Sequence, residues 1–133
     1  MLHFPRSLYD EMISHCLQGY PLEACGILAG REGSVEKVYH MKNADKSAVS
    51  YTMDPMELLQ VTKAIRQEQR EMVGIFHSHV ASQPYPSKTD VNLAFYPEVI
   101  YVIISLKERK SPIAKGYKIM DGTVAPNELR VVD

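Results

Sequence analysis

The sequence predicts an α/β (α+β) fold, a central mixed β-sheet flanked by helices. Three observations point there. The nearly unbroken apolar run from Val99 to Leu106 reads as a strand buried on both faces, which requires a sheet with layers on either side. Residues 6–18 and 55–69 carry apolar side chains at helical spacing, and they are interleaved with strand-like segments rather than segregated from them. At 133 residues the chain fits one domain, 1–133, long enough to bury roughly two-thirds of the surface its unfolded form exposes.

The elements follow in order. Leu8, Tyr9, Met12, Ile13, Cys16 and Leu17 form one broad apolar stripe, a helix that Gly19 and Pro21 end. Leu22 to Gly30 is apolar with small residues and reads as a buried strand, with Glu23 at its entry. Arg31-Glu32-Gly33-Ser34 then turns into a second strand through His40. Asn43 to Val49 is polar and loop-like, and Ser50 to Met53 reads as a short strand. Asp54-Pro55-Met56-Glu57 starts a helix: an acidic cap, proline at the first helical position, and glutamate three residues after the cap. Leu58, Val61, Thr62 and Ile65 face inward along it. Met72 to His79 is a strand rising out of the core, and Val80 to Pro86 a loop. A short helix begins at Ser87 and is stopped by Pro97. Ile113 to Met120 and Thr123 to Val132 read as a hairpin joined at Asp121-Gly122, a favoured tight-turn pair.

Composition narrows the function. A formal charge of −1 with both signs interspersed gives no basic field for nucleic acid and no polybasic membrane patch. No apolar run approaches the roughly twenty residues of a membrane span, and the amino terminus has no signal-peptide core, so a cytoplasmic protein is expected. In that reducing compartment Cys16 and Cys25 are expected to be free thiols. Cys25 lies two residues from Glu23 and on a strand would share its face, but packing as a small hydrophobe is the favoured reading.

The chemistry is concentrated at His77-Ser78-His79, followed by Ser87 and Asp90. Two imidazoles one residue apart on a strand project to the same face, and a carboxylate from the following helix can swing back as a third ligand. Two nitrogens, one carboxylate oxygen and a position left to water make the ligand set of a hydrolytic zinc site. Each residue also has a plainer reading. Ser87-x-x-Asp90 is a helix capping box, a role compatible with catalysis. Ser78 faces away from the histidines, toward packing or sheet bonding.

The spacing His77-x-His79, seven residues, Ser87-x-x-Asp90, with Glu23 upstream in Pro-Leu-Glu-Ala-Cys-Gly-Ile-Leu, resembles the JAMM/MPN+ family of zinc metallopeptidases, and among them the small stand-alone bacterial members. Tyr51 to Asp54 and Tyr101 to Leu106 also fall where that fold places them, so the resemblance covers nearly the whole chain. The chain departs from it at Val80, where many members have proline. The resemblance implies an MPN/JAB-like, cytidine-deaminase-like architecture and one Zn²⁺ per chain on His77, His79 and Asp90. It further implies Glu23 as general base and Ser87 as donor to the oxygen that becomes negative when water adds to a carbonyl. The substrate it implies is a peptide or isopeptide bond at the C-terminal Gly-Gly tail of a ubiquitin-like or sulfur-carrier protein, with release of cysteine or another adduct. The length leaves no room for the large insertions of eukaryotic members. The rival reading is a non-catalytic MPN-type scaffold binding a ubiquitin-like protein. Such scaffolds usually lack part of the metal set, whereas all five residues are present here. A deaminase needs Pro-Cys-x-x-Cys, which this sequence does not contain.

Overall fold

The computed structural model describes all residues 1–133. Eight strands form one mixed sheet: β1 (Leu2–Pro5), β2 (Cys25–Arg31), β3 (Ser34–Met41), β4 (Glu71–His79), β5 (Ile100–Ser105), β6 (Ile113–Met120), β7 (Thr123–Asn127) and β8 (Leu129–Val132). Helices α1 (Arg6–Gly19), α2 (Pro55–Gln67) and the single-turn α3 (Lys88–Asn92) connect them. The strand order is β7-β6-β5-β4-β2-β3-β1-β8, with β4–β5, β1–β3 and β1–β8 parallel and the rest antiparallel. The α/β (α+β) class is as expected. No helix is long and apolar enough to cross a membrane.

Two layers cover the sheet, and strand alternation decides what each receives. On one face, α1 seals a core of Leu2, Phe4, Met12, Cys16, Leu28, Phe76, Val102 and Ile104. On the other, Ile65 of α2 packs on Cys25, Ile27, Ala29 and Met41. A bulge on β4 opposite Leu28–Ala29 sets the phase of that strand, so Phe76 and Ser78 point toward α1 while Ile75, His77 and His79 point toward the α2 side. β5 is buried at every position, as its uninterrupted apolar sequence requires.

The two-residue turns take the backbone their sequences favour. Glu32-Gly33 and Asp121-Gly122 have φ of 52°, 76°, 51° and 79°, the left-handed pairs that match strand twist in a tight hairpin. Asp54 caps α2 by accepting the Glu57 N–H, 3.0 Å.

Five segments differ from the sequence reading. Leu2–Pro5, to which the sequence reading gave no element, is a strand. The expected single strand 123–132 is two, because Glu128 turns the chain from β6 to β1, and its carbonyl accepts the Leu2 N–H at 2.9 Å. With only Glu128 between them, β7 and β8 still lie at opposite ends of the strand order, so the sheet curls until its edges approach. The strand expected from Leu22 starts at Cys25, and the Glu23 N–H bonds instead to the Ser47 carbonyl. Residues 50–53 form only one bridge, Met53 to Asn43, because the Asn43 side chain takes the Ser50 carbonyl and the Thr52 N–H that a ladder would use. The helix at Ser87 ends at Asn92, not at Pro97; beyond it the Tyr101 hydroxyl accepts the Tyr96 N–H.

Candidate metal centre

β4 delivers His77 and His79 at its carboxyl end, on the face opposite α1, with 1% and 4% of their surfaces exposed. Asp90 comes from the first turn of α3. Its position is fixed by the capping box: Ser87 Oγ accepts the Asp90 N–H at 3.0 Å, and Asp90 Oδ2 accepts the Ser87 N–H at 2.9 Å. The same Oδ2 stands 2.9 Å from His79 Nε2 and 3.2 Å from His77 Nε2, and the two ring nitrogens are 3.1 Å apart.

That convergence has a chemical consequence. His79 Nδ1 donates to the Gln83 carbonyl at 2.9 Å, which leaves Nε2 of the neutral ring with a bare lone pair. A lone pair aimed at a carboxylate oxygen and a second imidazole nitrogen repels both unless a proton or a metal ion lies between them. A tetrahedral zinc ion with bonds of about 2.0–2.1 Å sets its ligand atoms about 3.3 Å apart, close to the spacing here, and imidazole and carboxylate are among its ordinary donors. The backbone carbonyl on the far nitrogen of His79 is the outer-shell partner usual for a metal-bound histidine. The three side chains therefore fit a metal ion.

The charges are shaped by the same contacts. Burial opposes ionisation of Asp90, but its hydrogen bonds to His77 and His79 outweigh that and hold the carboxyl well below the usual range. Burial lowers His77, whereas for His79 the hydrogen bond with Asp90 overcomes burial and raises it.

Glu23 sits beside this group at the head of β2, only 6% exposed, and its Oε1 is buried with no hydrogen-bond partner. Burial pushes its carboxyl up to about 7, with His79 pulling it back and the Asp90 charge adding to the rise. Its backbone is pinned on both sides, N–H to the Ser47 carbonyl and C=O accepting from Asn43 Nδ2 at 3.0 Å. Cys25 lies opposite His77 in the β2–β4 register, and the Glu23 charge adds to the rise of its thiol, although Glu23 itself precedes the strand. The Cys25 thiol packs under α2, donates to the Lys42 carbonyl at 3.6 Å, and is pushed up to about 12 by burial. Ser78 faces the other way, and its Oγ accepts the Ala24 N–H at 2.9 Å.

Sequence reasoning passed over three contributors. The Tyr51 ring stacks on His77, the Gln83 carbonyl orients His79, and Asn43 organises residues 43–52 behind Glu23. The stacking and the Gln83 bond have no sequence signal, since one is a loop contact and the other a main-chain carbonyl. An Asx-type turn at Asn43 was the one readable hint. Beside Asp90 opens a mainly apolar cleft of about 250 Å³, lined by Tyr51, Met53, Leu58, Leu93, Phe95 and Tyr101 among others.

Residues 5–115 match the family described as prokaryotic homologs of the JAB domain. The chain is 39% identical over 128 residues to the CysO-cysteine peptidase of Mycobacterium tuberculosis, covering 95% of this chain and 88% of the relative. It is 42% identical over 99 residues to the desampylase of Pyrococcus furiosus, covering 74% and 71%. Among solved structures, protein DSY2949 from Desulfitobacterium hafniense superposes with a TM-score of 0.91 at 39% identity, covering 100% of this chain and 94% of that one. The JAB1/MPN domain protein AF2198 from Archaeoglobus fulgidus shares the fold, with a TM-score of 0.65 at 18% identity over the full length of both chains. Two buried histidines at a strand end met by a half-buried aspartate, on this fold and with peptidases as relatives, identify the chain as a JAMM-type peptidase belonging to the family of prokaryotic homologs of the JAB domain.

Proposed function

We propose that this peptidase is zinc-dependent and cuts the amide bond that follows the C-terminal Gly-Gly of a ubiquitin-like or sulfur-carrier protein. The observation that carries the reading is the meeting of His77 Nε2, His79 Nε2 and Asp90 Oδ2 within 3.2 Å, beside a buried carboxyl with an unpartnered oxygen. The names of the relatives, a CysO-cysteine peptidase, desampylases and a probable TtuB-protein conjugate cleaving protease, support the substrate class.

His77, His79 and Asp90 would hold the ion. When bound, zinc supplies the Lewis acidity that makes a water nucleophilic near neutral pH and polarises the scissile carbonyl. Glu23 Oε1 takes the proton from the attacking water and returns it to the leaving amine nitrogen. A carboxyl whose burial favours the protonated form can hold that proton between the two transfers, and such catalysis contributes about 10²- to 10⁴-fold. Ser87 Oγ is already an acceptor for the Asp90 N–H, so its own hydrogen is free to point at the carbonyl oxygen as charge develops there. A Gly-Gly tail suits the site because residues without side chains let backbone approach the buried centre closely. In this reading loops 43–50 and 81–86 are the walls of the substrate path, and Val49 and Tyr85 on them are 82% and 56% exposed.

The test is to incubate the zinc-loaded protein with a sulfur-carrier protein bearing a cysteine after its Gly-Gly terminus and to follow release by intact-mass spectrometry. Cleavage at that bond is expected, with loss of turnover in Glu23→Ala. No cleavage by the wild type, or undiminished cleavage by Glu23→Ala, overturns the reading.

A further inference from the structure

Three successive carbonyls in the loop between β4 and α3 are each taken by a side chain from within the sheet. The Ser82 carbonyl accepts from Ser105 Oγ at 2.7 Å, the Gln83 carbonyl from His79 Nδ1 at 2.9 Å, and the Pro84 carbonyl from Tyr117 Oη at 2.5 Å. Ser105 is the register partner of His79 across β4–β5, and Tyr117 lies on β6 on the same face of the sheet. Both are buried, 5% and 7% exposed, and the Tyr117 ring is wedged edge-on against Tyr85, centroids 5.4 Å apart.

The middle carbonyl has little freedom left. Each peptide unit is rigid, so fixing the oxygens of Ser82 and Pro84 fixes the planes on either side of the Gln83 unit. The Pro84 ring locks its own φ, and the residue before a proline is confined to extended ψ. The Gln83 carbonyl is therefore aimed at His79 Nδ1 by the loop's anchors and its proline, not by contacts of the Gln83 side chain. That bond keeps the ring proton on Nδ1 and the lone pair of Nε2 toward Asp90 and His77.

We infer that Ser105 and Tyr117 are positioning residues for His79: by clamping the carbonyls on either side of Gln83 they impose the imidazole tautomer that a metal-bound His79 needs. Neither hydroxyl bonds to a candidate ligand of the metal. The inference rests on the reading of His79 as a ligand, and its test separates the two.

Two measurements on Ser105→Ala/Tyr117→Phe decide it. Long-range ¹H–¹⁵N NMR of the metal-free protein reads the His79 tautomer directly; the wild type is expected to hold the Nδ1–H form, and the double variant to show a mixture. Zinc affinity, measured by competition with a chromophoric chelator, is expected to fall about 10-fold in the double variant, as for other outer-shell changes. Ser105→Thr, which keeps the hydroxyl, should restore the tautomer in the Tyr117→Phe background to that of Tyr117→Phe alone. If the double variant does not fold, Tyr117→Phe serves by itself, since it removes one hydroxyl from a ring that keeps its packing. An unchanged tautomer together with unchanged zinc affinity in a folded variant overturns the inference while leaving His79 as a ligand. A wild type that keeps the Nδ1–H form but binds no zinc overturns the ligand reading, and the inference with it.

Discussion

The ring of Tyr51 lies against the imidazole of His77, centroids 4.6 Å apart and planes 26° from parallel. This contact does for His77 what a hydrogen bond does for His79, because His77 Nδ1 is buried with no partner while His79 Nδ1 bonds a carbonyl. One imidazole is oriented by polar contact and the other by a stacked face. Aromatic pairs of this kind contribute about 0.5–1.5 kcal/mol beyond burial alone. Tyr51→Phe keeps the face and should bind metal within about twofold of the wild type. Tyr51→Ala should weaken metal binding several-fold more and lower stability by about 3 kcal/mol. Chelator competition and denaturant titration check both. Equal metal affinity in the two variants would show that stacking does not orient His77.

Ser87 carries two roles that substitution can separate. As the cap of α3 it accepts the Asp90 N–H; as the proposed donor it needs its own hydrogen. Ser87→Ala should cost about 1 kcal/mol of stability through the lost cap. It should also lower kcat by about 10²- to 10³-fold through the lost donor. Ser87→Asn keeps a capping oxygen but places no hydroxyl there, so it should recover most of the melting temperature and little of the activity. Recovery of both together would mean that Ser87 acts only by holding α3 in place.

Glu23 makes the metal-free protein sensitive to pH in a stated direction. Its carboxyl ionises at about 7 when folded against an ordinary value of 4.5, so between those values the folded state holds a proton that the unfolded chain has released. The stability tied to that proton is fully present below about pH 4.5 and is lost as pH rises through about 7. Glu23→Gln removes the titration. The metal-free variant should therefore melt several degrees above the wild type at pH 8, with the gap closing toward pH 4.5. A gap that stays constant with pH would show that the carboxyl is not held protonated by burial.

Much of this was legible in the sequence because it is local. The alternation of His77 and His79 on one strand, the Asp54 and Ser87 caps and the Asp121-Gly122 turn each follow from residues within a few positions of one another. What was not legible depends on distant chain. β1 is four residues long and ends in proline, and it becomes a strand only because β3 and β8 lie on either side of it. Glu23 reads as lying at the entry of a strand that begins at Leu22, yet its N–H bonds to Ser47, a partner no periodicity could name. The Gln83 carbonyl is main chain, so its role leaves no side-chain trace at all.

The cleft beside Asp90 bears on how substrate is held. It shares Asp90 with the candidate metal group, so a chain lying across the site passes its mouth, and Leu93 and Phe95 on its rim are 50% and 71% exposed. Apolar side chains left in water at the edge of an apolar cleft gain by being covered, at about 25 cal/mol per Å² of surface removed from water. The glycine tail of the proposed substrate offers nothing to fill such a space, so on that proposal a neighbouring apolar residue of the carrier would. Neither rim residue contributes an atom to the His77, His79 and Asp90 group, and neither is part of the buried core, so replacing them should disturb binding ahead of chemistry. Leu93→Ser/Phe95→Ser should raise KM for a carrier adduct about 10-fold while kcat stays within about threefold, which is the signature of lost uniform binding. Steady-state kinetics on the same adduct decides the matter. A fall in kcat at constant KM would place the cleft in the catalytic step instead, and an unchanged KM would leave it outside the path of the substrate.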